Sequence, residues 1–370
     1  MAKKIKTASR KFVFEHLSER AGRKENDRYA DFVNEDKDLV QVFTDEFIQN
    51  LGDAKREDSD GVSVSINILE ASEFDISFLK KITRSLEGPL ETKLSSLDGR
   101  VLILEESGTT GLSGSIINGE DSNHNGFWID SGRAVGAGKQ SQRSKAGSAG
   151  KGNITYFAAS EIKTVFAVTD RIDADSHQKN LMGKAELRRR LTPDPTDGIR
   201  KEYEGYYSND GENNAILPIE DIEEIKEFEE AFNLTRKQIG LGSSFIIPFP
   251  KKELTEENIL RALLKGSFYK FLDGKLEVKI GDLEINQSNV TVIADEILGS
   301  EGKDNREFLE ETMYVPESET FQVDLDWINE INKKTFVDDV AFKKAQTLFN
   351  QFRLIALHVP LEITRKDGHN

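Results

Sequence analysis

A chain of 370 residues, of which 37% are hydrophobic and 31% charged, is long enough for two domains or one large domain with an ample core. Its formal net charge of −16 argues against a dominant nucleic-acid surface, and therefore against direct nucleic-acid binding. The absence of cysteine excludes a disulfide framework and a cysteine-ligated zinc site. Neither a signal peptide at Met1–Lys6 nor an apolar run of membrane-spanning length is visible, so we expect a cytoplasmic protein without a membrane role.

Residues 1–37 are strongly charged and are interpreted as an N-terminal arm or helix that precedes the first domain. A helix over Arg10–Arg23 is the specific expectation. Its apolar residues fit two alternatives, a solvated helix followed by a linker, or an arm that packs on a second subunit. The residue pattern does not choose between them.

Segment 38–54 has the strongest helical pattern in the N-terminal third, because its apolar residues recur at spacings of three and four. Asp38 is placed to cap the first turn. Glu46, Asn50 and Asp53 form a polar stripe that borders the apolar face. Such a stripe can line the floor of a cleft or form an ordinary solvated face. The apolar residues are Leu39, Val40, Phe43, Phe47 and Leu51.

A predicted strand and a glycine turn form the next informative stretch. The apolar run Val101–Leu104 predicts a short strand, and the acids Glu105 and Glu106 follow it directly. The turn after them contains Gly108 and Gly111. Glycine is needed where the backbone takes a positive φ or must approach a ligand closely. The turn is therefore a candidate ligand-binding element.

A segment rich in glycine, serine and asparagine, residues 113–146, follows this turn and is interpreted as a mobile lid. It leads into a second glycine-rich turn and then into a predicted helix over 153–160. A helix that begins just after glycines offers unpaired backbone amides and the positive end of its dipole to an anion such as a nucleotide phosphate. The second turn contains Gly147, Gly150, Lys151 and Gly152.

Neither glycine turn matches the common phosphate-binding motifs. A P-loop requires serine or threonine after its glycine–lysine pair, whereas Gln140 and Gly152 follow the two such pairs here. The dinucleotide-binding pattern requires a strand directly before its glycines, whereas a polar segment precedes Gly147. The five histidines are scattered, so a histidine metal site is not expected.

Four sequence elements, taken together and in this order, resemble the GHKL ATPase superfamily, which includes gyrase B subunits, heat-shock chaperones, mismatch-repair clamps and sensor histidine kinases. The resemblance covers residues 38–250. The amino-acid sequence of the turn Gly108–Leu112 looks most like that of the same turn in bacterial stand-alone ATPases of this superfamily, some of which are encoded in phage-defence operons. The elements are the helix with Glu46, Asn50 and Asp53, the turn with Glu106, Gly108 and Gly111, the turn with Gly147, Gly150 and Gly152, and Gly242-Ser243-Ser244 before the strand Phe245–Phe249.

The resemblance implies an α+β fold, namely an α/β sandwich in which helices cover one face of a mixed sheet, followed by a smaller α/β domain. ATP would lie between the helices and the lid. By position, Asn50 would bind Mg²⁺ and Glu46 would be the general base that orients water at the γ-phosphate. Asp53 would support the site.

The resemblance also implies which residues contact the rest of the nucleotide. Glu106 matches the acid that hydrogen-bonds the adenine amino group, where the family usually has aspartate, and Glu105 is the alternative. Gly108 and Gly111 would let the backbone approach the base, and Ser243 would stand where the family has threonine. The residues that would wrap the phosphates are Gly147, Gly150, Lys151 and Gly152.

We place a domain boundary near residue 252. Residues 38–252 would form the ATP-binding domain, and residues 253–370 a second, transducer-like α/β domain that either is truncated or ends in a frayed tail.

In the first domain we predict strands at Val62–Leu69 and Lys163–Thr169, helices at Phe78–Leu86 and Ile219–Phe232, and an irregular segment Asp170–Leu217. In the second we predict helices at Glu256–Phe271 and Phe342–Phe352, a hairpin of Leu276–Ile280 and Leu283–Ile285, and strands at Val290–Ile293 and Leu354–Ile363.

The predicted function is Mg²⁺-dependent ATP binding with slow hydrolysis, which drives a conformational or dimerisation switch in a bacterial anti-phage or DNA-transaction system. An ATP-dependent homodimer and a protein partner are expected. The first alternative is a non-hydrolysing, nucleotide-gated binding module. The second is a histidine-kinase-like phosphotransferase, for which His16 is the only candidate acceptor upstream of the site. Kinases of that type tend to lack the acid four residues before the asparagine, whereas Glu46 is present.

Overall fold

The chain divides into two compact units, Met1–Leu298 and Gly299–Asn370. No helix within the described ranges is both long and apolar enough to cross a bilayer. The structure is a computed structural model, and it describes residues 10–16, 38–87, 93–113, 154–173, 176–187, 201–210, 216–313, 320–322 and 356–358.

One mixed sheet of nine strands organises the first unit. The strands of this unit are β1 (Val13–His16), β2 (Val62–Leu69), β3 (Val101–Ser107), β4 (Thr164–Asp173), β5 (Ser176–Glu186), β6 (Lys201–Tyr207), β7 (Asn209–Asp210), β8 (Ile216–Leu217), β9 (Gly242–Pro248), β10 (Leu276–Ile280) and β11 (Leu283–Ile285). The order across the sheet is β1-β6-β5-β4-β9-β3-β2-β10-β11, and β7 pairs with β8 separately. Neighbours β2 and β10 run parallel, and the other neighbouring pairs of this sheet are antiparallel.

Helices separate the strands along the chain, so the predicted mixed α+β class is confirmed. In the second unit, α9 (Lys303–Met313) precedes a parallel pair of strands, β12 (Thr320–Gln322) and β13 (Ala356–His358). The helices of the first unit are α1 (Leu39–Asp53), α2 (Ile76–Thr83), α3 (Ile154–Ala158), α4 (Ile222–Ala231), α5 (Arg236–Ile239), α6 (Glu256–Gly266), α7 (Phe268–Leu272) and α8 (Val290–Leu298).

Local sequence signals explain where α1 and β2 lie. Asp38 caps α1 because its side chain accepts a hydrogen bond from the Gln41 backbone N–H at 2.7 Å, as its position predicted. The helix ends at Asp53, and the N–H of Ala54 returns to the Asn50 carbonyl. In β2 the alternate apolar residues Val62, Val64 and Ile66 are buried, as period-two patterning requires.

Helices pack on both faces of the sheet. On the first face, rings of α1 contact Tyr156 of α3, which in turn contacts Phe245 of β9. On the second face, Phe78 of α2 and Phe228 of α4 belong to the apolar core that includes Ile103 of β3. The predicted helix layer is thus present on the first face, and α2 and α4 add a layer on the second.

The segment predicted to be irregular, 170–217, contains the end of β4, all of β5 and β6, and the short pair β7 and β8. Its strands escaped prediction because β5 buries polar side chains, which removes the alternation of apolar and polar residues that marks a strand. Asn180, Lys184 and Glu186 are all buried in β5.

The domain boundary differs from the one predicted near residue 252. β10 pairs with β2 from Leu276 opposite Val62 to Ile280 opposite Ile66, so the segment 253–298 completes the first sheet. The first unit accordingly extends to Leu298.

The strand predicted at Val290–Ile293 is wrong, because these residues begin helix α8. The buried residues of α8 are Val290, Ile293, Ala294 and Leu298, a helical spacing that a four-residue window cannot show. The helix predicted at 342–352 lies outside the described residues. Of the strand predicted at 354–363, the structure describes β13.

The N-terminal helix predicted over Arg10–Arg23 is also wrong where the chain is described. Residues 13–16 form β1, an edge strand that pairs antiparallel with β6 of the same sheet. Phe12 is buried in the core of the second face, where its ring lies 5.6 Å from that of Phe166 and 5.8 Å from that of Tyr207. Aromatic and β-branched residues favour a strand here. Residues 17–37 lie outside the described part.

We predict that Phe12→Ala destabilises the first unit by about 3–5 kcal/mol, because it removes a ring that is only 3% exposed. The neighbouring Val13→Ala is the control, since Val13 is 48% exposed, and it should change stability by less than about 0.5 kcal/mol. Urea unfolding of both variants measures the difference. Equal effects would show that β1 does not dock on the sheet.

Candidate functional site

The polar stripe of α1 meets a buried tyrosine on α3. Tyr156 is only 1% exposed. The Asn50 side chain of α1 lies near its hydroxyl. Aromatic rings enclose the tyrosine at centroid distances of 5.8, 6.3 and 5.1 Å, and they belong to Phe43, Phe47 and Phe245.

Two carboxylates lie close enough to the Tyr156 hydroxyl to raise its pKa. Burial raises the pKa of Tyr156 far above its ordinary value, and the negative charges of Glu106 and then Glu46 raise it further. Tyr156 therefore stays protonated and neutral. The structure brings Glu46 and Asn50 of α1 and Glu106 of β3 to one residue that the sequence did not single out.

Backbone hydrogen bonds join the end of α1 to the first glycine turn. The Thr110 N–H donates to the Ala54 carbonyl at 2.9 Å, and the Arg56 N–H donates to the Gly108 carbonyl at 3.0 Å. The predicted helix and turn are therefore in direct contact, although about fifty residues separate them in the sequence.

Both glycines of this turn have positive φ, +74° at Gly108 and +66° at Gly111. A Cβ on Gly108 would lie 2.5 Å from the Gly61 carbonyl oxygen, and one on Gly111 would lie 2.5 Å from the Thr169 hydroxyl. Neighbouring groups of the chain therefore require glycine at both positions. The approach of this turn to a nucleotide base stays a prediction.

Glu106 is a buried carboxylate whose hydrogen bonds lie on one oxygen. Oε1 accepts from the Ser243 backbone N–H at 3.0 Å and from the Thr109 hydroxyl at 3.1 Å. Among the described residues, none donates a measured hydrogen bond to Oε2. Burial raises the pKa of Glu106 from 4.5 to about 7, and the nearby Arg236 charge opposes this rise. Oε2 can therefore accept from a ligand donor.

Glu105 has a different environment, because successive side chains of a strand point to opposite faces. Its carboxylate accepts from the Thr235 N–H at 2.9 and 3.0 Å, from the Thr235 hydroxyl at 2.8 Å and from the Ser244 hydroxyl at 3.0 Å. Both oxygens of Glu105 are used to hold the start of α5 against the sheet. Of the two acids, Glu106 is the one that lies near Tyr156.

Ser243 links Glu106 to the start of the predicted lid. Its hydroxyl donates to the Thr169 hydroxyl at 3.1 Å, and the Thr169 hydroxyl accepts from the Leu112 N–H at 2.9 Å. The Leu112 carbonyl in turn accepts from Arg171 at 2.9 Å. A continuous hydrogen-bonded path thus runs from the buried carboxylate through β9 and β4 to the last described residues before the lid.

Arg236 is a buried residue that the sequence analysis missed. Its side chain is 0% exposed, and its Nη2 donates to the backbone carbonyl of Glu106. Within the described part of the chain, Nε and Nη1 have no hydrogen-bond partner. Burial lowers the pKa of Arg236, and the charges of Glu106 and Glu105 oppose this. No sequence motif includes this arginine, so its contact with the backbone of Glu106 could not be predicted from the sequence.

Asp53 lies near a lysine of α7, a neighbour that the sequence did not predict. Burial lowers the pKa of Lys270, and the charges of Asp53 and Asp45 oppose that effect. The Lys270 ammonium also donates to the Ile48 carbonyl at 3.3 Å. These contacts place Asp53 beside α7, and its supporting role toward a nucleotide stays a prediction.

The predicted phosphate-binding residues Gly147, Gly150, Lys151 and Gly152 lie outside the described residues, as does the lid after Ser113. The described chain resumes at α3, which carries Tyr156. In the ranges that the structure describes, no group of three or more histidine, cysteine, aspartate or glutamate side chains could hold a metal ion.

No protein-family model matches the chain, and no curated protein matches it. Two structures of the Saccharomyces cerevisiae topoisomerase II ATPase region, one bound to ICRF-187 (dexrazoxane), share 12% identity with a TM-score of 0.34 over 78% of this chain and 60% of theirs. The ATPase and transducer domains of DNA topoisomerase II from Balamuthia mandrillaris share 12% identity with a TM-score of 0.34, over 69% of this chain and 50% of that one.

We predict that Glu106→Gln stabilises the protein at pH 8, above the raised pKa of about 7, by up to about 3 kcal/mol. The folded-state pKa lies above the ordinary value of 4.5, so the neutral acid is favoured by folding and its ionisation costs stability as pH rises through 7. The gain should vanish near about pH 3.5, below the ordinary value of 4.5, because the side chain is then protonated in both the folded and the unfolded protein. Urea unfolding at both pH values measures it.

The adjacent Glu105→Gln is the matched control and should have the opposite sign. It weakens charge-assisted hydrogen bonds from Thr235 and Ser244, so it should destabilise the protein by about 1–3 kcal/mol at pH 8. Destabilisation by Glu106→Gln at pH 8 would contradict a carboxylate that burial penalises.

Proposed function

We propose that this chain binds ATP with Mg²⁺ between α1, α3 and the end of β3, and that it hydrolyses the ATP slowly. The observation that carries the proposal is the convergence of Glu46, Asn50 and Glu106 on Tyr156. These three residues come from two segments that the sequence resemblance assigns to metal binding, water activation and base recognition. A chance arrangement of glycine turns would not bring them to one buried side chain.

Base recognition is assigned to Glu106. Its Oε1 is held by Ser243 and Thr109, so Oε2 is left to accept an amino N–H of adenine. A donor at Oε2 favours the ionised carboxylate, which burial otherwise penalises. Binding of the base therefore offsets a cost that the unliganded protein carries.

Metal binding is assigned to Asn50, and its donor chemistry fits Mg²⁺, which accepts an amide oxygen and completes its octahedron with water and phosphate oxygens. Asn50 lies near the Tyr156 hydroxyl, in the half-buried part of α1. Its amide oxygen would be the ligand of the cation. A bound Mg²⁺ would neutralise charge on the phosphates.

Water activation is assigned to Glu46. It precedes Asn50 by four residues on α1, so both side chains lie on the same helical face. Glu46 also acts on the Tyr156 hydroxyl, which places its carboxylate at the same end of the site. A carboxylate beside the metal-binding amide can orient water and take up its proton.

A conformational or dimerisation switch is the use that we propose for this chemistry. Two connections support it, the hydrogen bonds between α1 and the first glycine turn, and the path from Ser243 to Leu112 at the start of the lid. Nucleotide at the site would bias both. A protein partner and an anti-phage or DNA-transaction setting stay predictions from the sequence.

Asn50→Ala should weaken binding of a non-hydrolysable ATP analogue in the presence of Mg²⁺ by about 10- to 100-fold, the usual effect of disturbing a metal site. Isothermal titration calorimetry measures this loss. Gln49→Ala is the matched control, because residue 49 points about 100° away around the helix, and it should bind as the wild type does. Undiminished affinity in Asn50→Ala would remove Asn50 from the site.

Glu46→Gln should bind ATP nearly as the wild type does and hydrolyse it about 10²- to 10⁴-fold more slowly, because the positioned base is lost. Phosphate release under saturating ATP measures the rate. Asp45→Asn is the control for charge, since this exposed carboxylate precedes Glu46 on α1. Equal rates in the two variants would contradict the role of Glu46. A wild type that binds ATP without turnover would favour the non-hydrolysing module.

A further inference from the structure

The pairing of β3 with β9 ends one residue before Glu106, and a buried arginine contacts the backbone where the next pair would be. The last pair of the register is Glu105 opposite Ser244, so one further step would place Glu106 opposite Ser243. The Ser243 N–H donates instead to the Glu106 carboxylate at 3.0 Å. The backbone carbonyl of Glu106 accepts from Arg236 Nη2.

We infer that Arg236 is a positioning residue that determines the specificity of the proposed site for the nucleotide base. Because it occupies the backbone carbonyl of Glu106, the Ser243 N–H is left to hold the carboxylate oxygen Oε1. Oε2 is then fixed in the orientation that accepts the amino group of adenine. This inference rests on the proposed ATP-binding function and adds a residue to it. Arg236 itself touches neither base nor phosphate in this role.

The residues around Arg236 deliver its guanidinium to this place. The preceding residue, Thr235, donates its N–H and its hydroxyl to the Glu105 carboxylate at distances between 2.8 and 3.0 Å. Two consecutive residues are thus bound to the two consecutive glutamates at the end of β3. Gly242 leaves room for the contact, since a Cβ there would lie 2.9 Å from Arg236 Nη1 and still closer to the Glu106 carbonyl oxygen.

The other hydrogen-bonding groups of Arg236 are unused in the part of the chain that the structure describes. The residue is fully buried, and its Nε and Nη1 have no hydrogen-bond partner there. A buried donor without a partner costs free energy, so hydrogen bonding within the fold does not explain why an arginine stands here. Its charge favours the ionised form of Glu106, which is the form that accepts a hydrogen bond from an amino group.

Removal of the guanidinium would leave the Glu106 carbonyl without this donor at the end of the ladder. Ser243 is the next residue in the register, and regular antiparallel pairing would return its N–H to that carbonyl. Oε1 would then keep only the Thr109 hydroxyl, at 3.1 Å. A hydroxyl rotates to suit its partner, so one such donor does not fix the carboxylate, and the orientation of Oε2 toward the base is lost.

The first test compares ADP with purine riboside diphosphate, which lacks only the 6-amino group of the base. Isothermal titration calorimetry with Mg²⁺ should show that the wild type binds ADP about 10- to 100-fold more tightly, the value of one hydrogen bond to a charged group. In Arg236→Met and in Arg236→Gln this ratio should fall below about threefold, because the discriminating hydrogen bond is lost. The affinity for purine riboside diphosphate should stay within about threefold of that of the wild type. A variant that weakens both nucleotides equally has a structural role only, and that result would overturn the inference.

Arg10→Met is the matched control for loss of an arginine that donates to a backbone carbonyl. Arg10 donates to the Ser208 carbonyl at 2.5 Å and forms an ion pair with the buried carboxylate of Glu224 on α4. Its replacement should destabilise the protein and leave the ratio of the two affinities as in the wild type. An equal fall of the ratio in Arg10→Met would assign the effect to lost stability and overturn the inference.

The second test needs no nucleotide. A crystal structure of either Arg236 variant should show the Ser243 nitrogen within about 3.2 Å of the Glu106 carbonyl oxygen and no longer bonded to Oε1. A Ser243 N–H that stays on Oε1 would overturn the inference whether or not the protein is an ATPase. A wild type that binds the two nucleotides equally would also overturn it, and would leave the proposed function standing. A wild type that binds neither would overturn both.

Discussion

Two neighbouring glutamates at the end of β3 set the organisation of this molecule, because strand geometry directs Glu105 and Glu106 to opposite faces of the sheet. Glu105 receives three kinds of donor and joins α5 to the second face. Glu106 receives donors on one oxygen and faces the helices of the first face. Both oxygens of Glu105 are thus used by the fold, whereas Oε2 of Glu106 accepts no hydrogen bond from the described residues.

The polar groups of the proposed site all lie on helices and strands of the first face. α1 carries Glu46 and Asn50, α3 carries Tyr156, and β3 carries Glu106. The aromatic packing between α1, α3 and β9 holds these elements at fixed spacing. Polar groups on helices and strands are held more rigidly than groups on loops. A shift of one of these elements would therefore move the polar groups on the others.

Local signals allowed much of this arrangement to be predicted. The periodicity of α1 and the cap at Asp38 depend on a few adjacent residues, and both are confirmed. β5 was missed because its buried Lys184 is neutralised by Glu186 and Glu204 at 3.1 and 2.9 Å, a compensation that no local window reveals. Tyr156 looked like any aromatic residue of a core helix, because its importance depends on side chains about a hundred residues away.

The parallel pairing of β2 with β10 has a practical consequence for protein production. A fragment that stops at residue 252 would lack β10, β11 and the helices α6 and α7 that contact α1 through Gln41 and Ile48. The edge of β2 would then expose unpaired backbone N–H and C=O groups, which can pair with strands of other molecules. Such a fragment would aggregate, so an expression boundary for the first unit belongs after Leu298.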